Sequence, residues 1–163
     1  MTVICNTTPL INFAAINRLD ILQAMFGEIA IPQAVYDETT GSSFPDSQVV
    51  LQAIASGWLQ VRQVSTIASE IPPKLDRGER EAIALASETG EQRILLDERE
   101  ARQVAQSFGL QVIGTLGILL LAKNQQIIPQ VQPLLDATID TAQYWVSATL
   151  YQQVLRQAGE FVE

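Results

Sequence analysis

Short apolar runs alternate with helical patterns of about ten residues along most of the chain. The runs are aliphatic, rich in Val, Ile and Leu, and each stops near polar, proline or glycine residues. Continuous apolar strands separated by helices are typical of a parallel sheet that is covered on both faces. The predicted strands span residues 2–5, 29–31, 59–61, 93–96 and 111–113. This pattern predicts an α/β fold with a central parallel sheet of four to five short strands.

The helical segments between these strands carry apolar stripes and recognisable start and stop residues. From Thr115 onward the pattern is helical throughout. With 163 residues and an apolar fraction of 47%, we expect a single domain covering residues 1–163. The helices after about residue 115 would then pack on the sheet or at a dimer interface. The helices predicted between or after the strands span residues 9–16, 18–26, 33–40, 47–56, 78–89, 98–108, 116–123, 129–136 and 147–158.

The chain contains no histidine and a single cysteine, Cys5. This composition excludes disulfide frameworks, Cys/His zinc sites and catalysis by imidazole. The amino terminus has no basic segment before its first apolar run, so we expect a cytosolic protein rather than a secreted one. The apolar stretch at 112–122 is too short to cross a bilayer, which takes about 20 residues.

The net charge is −8, which argues against a surface that coats nucleic acid non-specifically. Six of the ten basic residues nevertheless fall between positions 74 and 102, where acids are interleaved with them. Two interpretations stay open: a local cationic rim beside an acidic site, or solvated helix faces with salt bridges such as Arg77 with Glu81.

Two predicted strands end in residues that can bind a cation. The first ends at Asn6, and the fourth ends at Asp97. Ligands of open parallel sheets bind at the carboxyl ends of strands, near the point where the strand order reverses, so we expect these two turns to share one edge. Glu38 and the acids that follow Gly78 suit the same edge. Three or four oxygen ligands without imidazole or thiolate favour Mg²⁺ or Mn²⁺, which predicts a phosphodiester site.

Five sequence blocks follow one another over nearly the whole chain: NTTPLI at 6–11, IPQAVYDE at 31–38, LDRGEREAIALA at 75–86, LLDEREAR at 95–102 and VIGTLG at 112–117. In this order they resemble the blocks of the PIN-like proteins of the DUF3368 group. The resemblance implies a three-layer α/β/α fold and a metal-dependent ribonuclease, an activity often found in the toxin half of toxin–antitoxin pairs. It also implies an RNA substrate, an antitoxin partner and a homodimer.

Carried over to this chain, the resemblance assigns the metal site to Asn6, Glu38, one acid of the Gly-Glu-Arg-Glu turn, and Asp97. Position 6 departs from the pattern because the family usually has aspartate there. An asparagine offers one neutral oxygen but lacks the charge that holds a divalent ion. In the turn, Glu79 and Glu81 are two residues apart on a helix, so both cannot point into one site. We favour Glu81 because it directly precedes the apolar helix, and keep Glu79 as the alternative.

Four further residues are candidates for binding substrate. Thr7 and Thr8 can each offer a hydroxyl, although capping the following helix is the more ordinary role. Arg99 and Arg102, about one helical turn apart, can grip a phosphate or neutralise neighbouring acids. The turn that begins at Gly114 follows a strand and precedes a helix, but it lacks a complete nucleotide-binding motif, and we interpret it as a tight turn.

Two functional hypotheses follow. The first is an Mg²⁺- or Mn²⁺-dependent RNA endonuclease. The second is a catalytically weakened PIN-like protein that binds a partner or RNA, suggested by Asn6 and the negative net charge. A haloacid-dehalogenase-like phosphatase is set aside, because the first strand is not followed by Asp-x-Asp.

Overall fold

The computed structural model describes residues 2–41 and 44–161 of the chain. Its centre is a sheet of five parallel strands in the order β3-β2-β1-β4-β5. The predicted α/β fold with a parallel sheet is therefore confirmed, and the strand order reverses between β1 and β4. The strands are β1 (Val3–Cys5), β2 (Ile29–Pro32), β3 (Leu59–Arg62), β4 (Arg93–Leu95) and β5 (Gln111–Ile113).

Side chains of the central strands alternate between two hydrophobic cores, one on each face of the sheet. Cys5 and Leu95 are register partners on β1 and β4, and both belong to the larger core. Ile4 and Ile94, the preceding pair, belong to the smaller core on the opposite face. This alternation is the normal period of two in a strand. Because both faces are covered, almost every residue of the central strands is apolar.

Helices form the outer layers of the α/β/α arrangement. The smaller core is closed by α5 and α6, whereas the other helices supply the larger core. Among the described residues, no helix is long and apolar enough to span a membrane. The helices are α1 (Thr7–Ala15), α2 (Leu19–Phe26), α3 (Gln33–Thr40), α4 (Ser47–Ala55), α5 (Arg77–Thr89), α6 (Arg99–Ser107), α7 (Thr115–Asn124), α8 (Gln132–Thr141) and α9 (Ala148–Gln157).

Most predicted boundaries agree with the structure to within one or two residues, but the prediction for α8 is wrong. The helix was expected to begin at Pro129, whereas it begins at Gln132. Pro133, in the first turn of α8, takes the place that was assigned to Pro129. Both prolines satisfy the rule that proline suits the first helical turn, so the rule does not choose between them.

Candidate functional site at the carboxyl edge of the sheet

The site lies where β1 and β4 end side by side. The backbone N–H of Asn6 donates to the carbonyl of Leu95 at 2.9 Å, which continues the parallel pairing one residue past β1. This is the point of reversal in the strand order, where α/β sheets bind their ligands. The turn after each strand leads directly into a helix, α1 after β1 and α6 after β4.

Three side-chain oxygens converge over Gly78, in the first turn of α5. A Cβ atom built on Gly78 would lie 3.1 Å from Glu38 Oε1, 3.2 Å from Asn6 Oδ1 and 3.3 Å from Thr7 Oγ1. We call this group of three oxygens the oxygen cradle. Its space exists because position 78 has no side chain. The cradle unites residues from α1, α3 and the turn after β1.

Two of the three cradle oxygens are buried and have no hydrogen-bond partner in the part of the chain that the structure describes. Asn6 is 2% exposed, and neither its Oδ1 nor Thr7 Oγ1 has a partner among the described residues. Asn6 is the N-cap residue of α1, where asparagine commonly accepts a backbone N–H, yet its side chain makes no such bond. Leaving a buried polar atom unpaired costs about 1–3 kcal/mol. Such atoms are rare in native proteins, and here both face the same small space.

Glu38 supplies the carboxylate of the cradle. Its side chain is largely exposed, but the carboxyl end lies over Gly78. Partial burial raises the pKa of Glu38; the Thr7 hydroxyl beside it, although not in hydrogen-bonding geometry, opposes this rise, while the charge of Asp76 adds to it. The cradle therefore holds a carboxylate whose charge is only partly compensated.

Glu98 adjoins the cradle, although the sequence did not single it out. Thr8 Oγ1 donates to Glu98 Oε1, and Asn6 Nδ2 lies 3.5 Å from Oε2, at the limit of a hydrogen bond. The charge of Glu98 also contributes to the raised pKa of Glu38. The strand pattern could have indicated this residue. Side chains two positions apart in an extended strand point to the same face, so Glu98 shares the face of Leu96, which is also the face of Asn6.

The structure places Asp97 outside the cradle, on the other side of the sheet edge. Its Oδ1 accepts the backbone N–H of Thr115 and the hydroxyl of Tyr144, each at 2.9 Å. Its Oδ2 accepts the Thr115 hydroxyl at 2.7 Å, and that hydroxyl in turn accepts from Asn12. Burial, followed by the charge of Asp97, raises the pKa of Cys5, which belongs to the larger core. Asp97 thus holds the start of α7 and the segment before α9.

Glu79 and Glu81, the two alternatives in the turn, both support the cradle from outside. Glu79 forms a capping box with Asp76, in which Glu79 Oε1 accepts the Asp76 N–H at 3.0 Å and Asp76 Oδ1 accepts the Glu79 N–H at 2.8 Å. Glu81 Oε1 accepts the Ala34 N–H at 3.0 Å, and its Oε2 pairs with Arg77 at 2.8 Å. Glu79 therefore fixes the start of α5, and Glu81 ties α5 to α3.

The candidates for binding substrate do not all lie at the cradle. Thr7 and Thr8 lie inside α1 and neither occupies its N-cap position, so the expectation that one of them caps the helix is wrong. Arg99 is exposed on α6. Arg102 lies beside Asp97 at Gly114, where an added Cβ would be 3.5 Å from Arg102 Nη1 and 3.0 Å from Asp97 Oδ1. The four candidates thus lie on both sides of the Asp97–Glu98 turn.

The donor types at the cradle fit a hard divalent cation. Glu38 in the cradle and Glu98 beside it provide carboxylates, and Asn6 and Thr7 provide neutral oxygens, all of the kind that bind Mg²⁺ or Mn²⁺. Within residues 2–41 and 44–161, no three Cys, Asp or Glu side chains lie close enough together to share one ion. The two orphaned buried oxygens are the observation that favours a cation, and the small number of carboxylates limits its affinity.

Comparisons with known proteins agree with this architecture. The profile of DUF3368, described as a PIN domain, matches residues 2–160. The fold is similar to the solved structure of a PilT N-terminus domain protein from the hyperthermophilic archaeon Sulfolobus solfataricus, with a TM-score of 0.54 and 15% sequence identity over 90% of this chain and 98% of that one. No curated protein matches the chain. The family match, which covers nearly every described residue, shows that this protein is a member of the DUF3368 group of PIN domains.

Proposed function

We propose that the protein is a metal-dependent RNA endonuclease that hydrolyses phosphodiester bonds at the oxygen cradle. The observation that carries the proposal is the convergence of Asn6 Oδ1, Thr7 Oγ1 and Glu38 Oε1 over Gly78, two of them buried and unpartnered. The family adds support, because PIN domains have a nuclease-like fold, generally use divalent metals and are associated with RNA.

Asn6, Glu38 and Glu98 would hold the ion, and Thr7 would add a hydroxyl. A bound Mg²⁺ or Mn²⁺ supplies charge neutralisation at the phosphate and lowers the pKa of a ligated water. Helices α1 and α5 both begin at the cradle, so their N-terminal dipoles favour a phosphate there. Glu79 and Glu81 keep these elements in place, and Asp97 positions α7 beside them.

The test is cleavage of single-stranded and structured RNAs by pure protein with Mn²⁺. We expect Glu38→Gln and Glu98→Gln each to lower the rate by about 100-fold, because each removes one of the few charges that hold the ion. Glu70→Gln is the matched control, since Glu70 is an exposed glutamate outside the site. Asp97→Asn would act mainly on stability. No cleavage by the native protein, or cleavage that survives both cradle variants, refutes the proposal.

Asn6 favours a second candidate function, that of a catalytically weakened PIN domain acting as a partner- or RNA-binding module. An amide at position 6 brings no negative charge, and Asp97 already satisfies three donors on the other side of the turn. Both features reduce the charge available to a cation.

Direct Mn²⁺ titration of the native protein and of Asn6→Asp separates the two functions. The weakened-module hypothesis predicts that Asn6→Asp binds Mn²⁺ about tenfold more tightly or more, and that only this variant cleaves RNA. The nuclease hypothesis predicts cleavage by both proteins. Equal Mn²⁺ affinity in the two proteins would contradict the weakening argument.

We also propose, from the family resemblance, that the protein acts as a homodimer and as the toxin of a toxin–antitoxin pair. Light scattering of the purified protein tests the first point. Co-expression with the product of a small adjacent reading frame tests the second, and the expected result is a stable complex in which RNA cleavage is suppressed. A monomer at all concentrations, or cleavage unchanged in the complex, would contradict these assignments.

A further inference from the structure

A cavity of about 470 Å³ lies beyond Asp97, on the side of the sheet edge away from the cradle. Its floor is the end of β5 and the first turn of α7, and its outer wall is α9 with the segment that precedes it. Clefts of about 300–1,000 Å³ with mainly apolar walls and a few polar groups are typical of small-ligand sites. The cavity is next to the cradle, because Asp97 and Glu98 are neighbours in the chain.

The cavity contains one guanidinium that has no partner among the described residues. Arg102 is the only basic residue among the described lining residues; its backbone N–H donates to the Glu98 carbonyl, but its guanidinium makes no salt bridge or hydrogen bond with any described residue. Asp97, the only acid among the lining residues that the structure describes, already accepts from the Thr115 N–H, the Thr115 hydroxyl and Tyr144. Gly114 leaves the space between the guanidinium and this carboxylate open. An unpaired guanidinium in such a cavity favours an anionic ligand.

The walls of the cavity suit an aromatic group attached to that anion. Tyr144 lies in the non-helical segment between α8 and α9 and is held there by its bond to Asp97. Leu116 and Val154 add apolar surface, and Gln153 adds an amide that can contact polar edges. Trp145, next to Tyr144, is 83% exposed. Aromatic platforms beside a cation are the usual means of binding single-stranded nucleic acid.

We propose that this cavity is a nucleotide subsite for single-stranded RNA, in which Arg102 binds a phosphate and a base packs against Tyr144. The inference rests on the proposed function, because a strand that occupies the cavity continues across the Asp97–Glu98 turn to the cradle. It adds a binding position that is independent of the metal. It also gives the segment before α9 a role, since that segment supplies the aromatic wall.

The test measures binding without cleavage. A fluorescein-labelled, 2′-O-methylated RNA of about ten nucleotides is titrated in EDTA, and its anisotropy is followed at several salt concentrations. We expect Arg102→Gln to weaken binding about tenfold and to reduce the slope of log K against log salt by about 0.7, the value for one phosphate contact on a single strand. Arg62→Gln is the charge-matched control, because Arg62 is exposed on β3 at the opposite edge of the sheet.

Two tyrosine variants separate stacking from structural support. Tyr144→Ala should weaken binding by about tenfold, whereas Tyr144→Phe should stay within about twofold of the native protein, since a phenyl ring still stacks. If Tyr144 serves only to hold Asp97, both variants lose the hydroxyl and behave alike. Equal affinity of the native protein and Arg102→Gln, equal effects of the two Tyr144 variants, or no binding by the native protein would overturn the inference.

These outcomes are distinguishable from failure of the proposed function. Arg102-dependent binding without any cleavage in Mn²⁺ refutes the nuclease and supports the subsite. Cleavage that depends on Glu38, together with binding that is independent of Arg102 and Tyr144, supports the nuclease and refutes the subsite.

Discussion

Replacing Gly78 with alanine would place a methyl group among the three oxygens of the cradle. The added Cβ would lie 3.1–3.3 Å from Glu38 Oε1, Asn6 Oδ1 and Thr7 Oγ1, which is slightly closer than ordinary contact. A Mg²⁺ or Mn²⁺ ion near the same point would require the oxygens to draw in by roughly 1 Å, to the usual distance of about 2.1 Å. The methyl group and the ion therefore compete for one space.

The expected effect of Gly78→Ala on the free energy of unfolding is small, because the gain in helix propensity and the cost of overpacking oppose each other. Alanine is favoured over glycine inside a helix by up to about 1 kcal/mol, and Gly78 does not have a positive φ. Overpacking by one methyl group costs about 1–3 kcal/mol, with the lower end applying here because the Glu38 side chain is largely exposed and can move aside. We expect the free energy of unfolding to change by no more than about 1 kcal/mol.

The effect on metal binding should be much larger than the effect on folding. We expect Gly78→Ala to weaken Mn²⁺ binding, measured by calorimetry, by about 100-fold, because the ligand oxygens can no longer approach one another. Gly117→Ala is the matched control: it lies in the first turn of α7, and its Cβ would meet only Ile113 Cγ2 at 3.4 Å. Unchanged Mn²⁺ affinity in Gly78→Ala, together with native-like unfolding, would refute the assignment of the cradle as the metal site.

Two further predictions concern stability. Burial raises the pKa of Glu79 above 4.5; the hydrogen bond from the Asp76 N–H opposes this rise, and the charges of Asp76 and other nearby acids add to it, so the ionised group destabilises the folded state at neutral pH. Glu79→Gln should be more stable than the native protein in urea unfolding at pH 7, and an advantage that persists below pH 4.5 would contradict this cause. Burial alone would raise the pKa of Glu160, but hydrogen bonds from the Val131 and Gln132 N–H groups, with Lys123, lower it. At pH values above the ordinary pKa of glutamate, Glu160→Ala should lower the free energy of unfolding by about 2–3 kcal/mol, and this loss should shrink as the pH falls through the lowered pKa of the folded state. A loss that does not depend on pH would contradict the ionic contribution.

The fold was predictable because its strongest determinants are local. Each of the three central strands, β1, β2 and β4, is a short aliphatic run buried on both faces, and such runs indicate a parallel sheet without any knowledge of tertiary contacts. The start of a helix was also predictable where one residue was clearly suited to cap it, as at α9, where Ser147 accepts the Leu150 N–H. The start of α8 was not predictable in this way, because two prolines were equally suited to its first turn.

The cradle was predictable only in part. Asn6 was found because it follows the first strand directly, and Glu38 because its place late in the helix after the second strand suits the same edge and matches a block of the family. Glu81 was favoured over Glu79 as the acid of the site, but the choice could not be made firmly, because the sequence does not show which backbone N–H groups need an acceptor. In the structure, Asp76 and Ala34 provide those N–H groups, so both glutamates are engaged at helix starts.

The side of the sheet edge on which Asp97 and Glu98 lie depends on strand register. Cys5 pairs with Leu95, so the residue after Cys5, Asn6, corresponds to Leu96; Leu96 belongs to the smaller core, and strand alternation directs Asn6 to the same face. Asp97 is one residue further and turns to the opposite face, where α7 provides its donors. Glu98 is two residues further and returns to the face of Asn6. A shift of one residue in the β1–β4 register would exchange the two acids, so the pairing of two short strands decides which carboxylate lies beside the cradle and which one borders the Arg102 cavity.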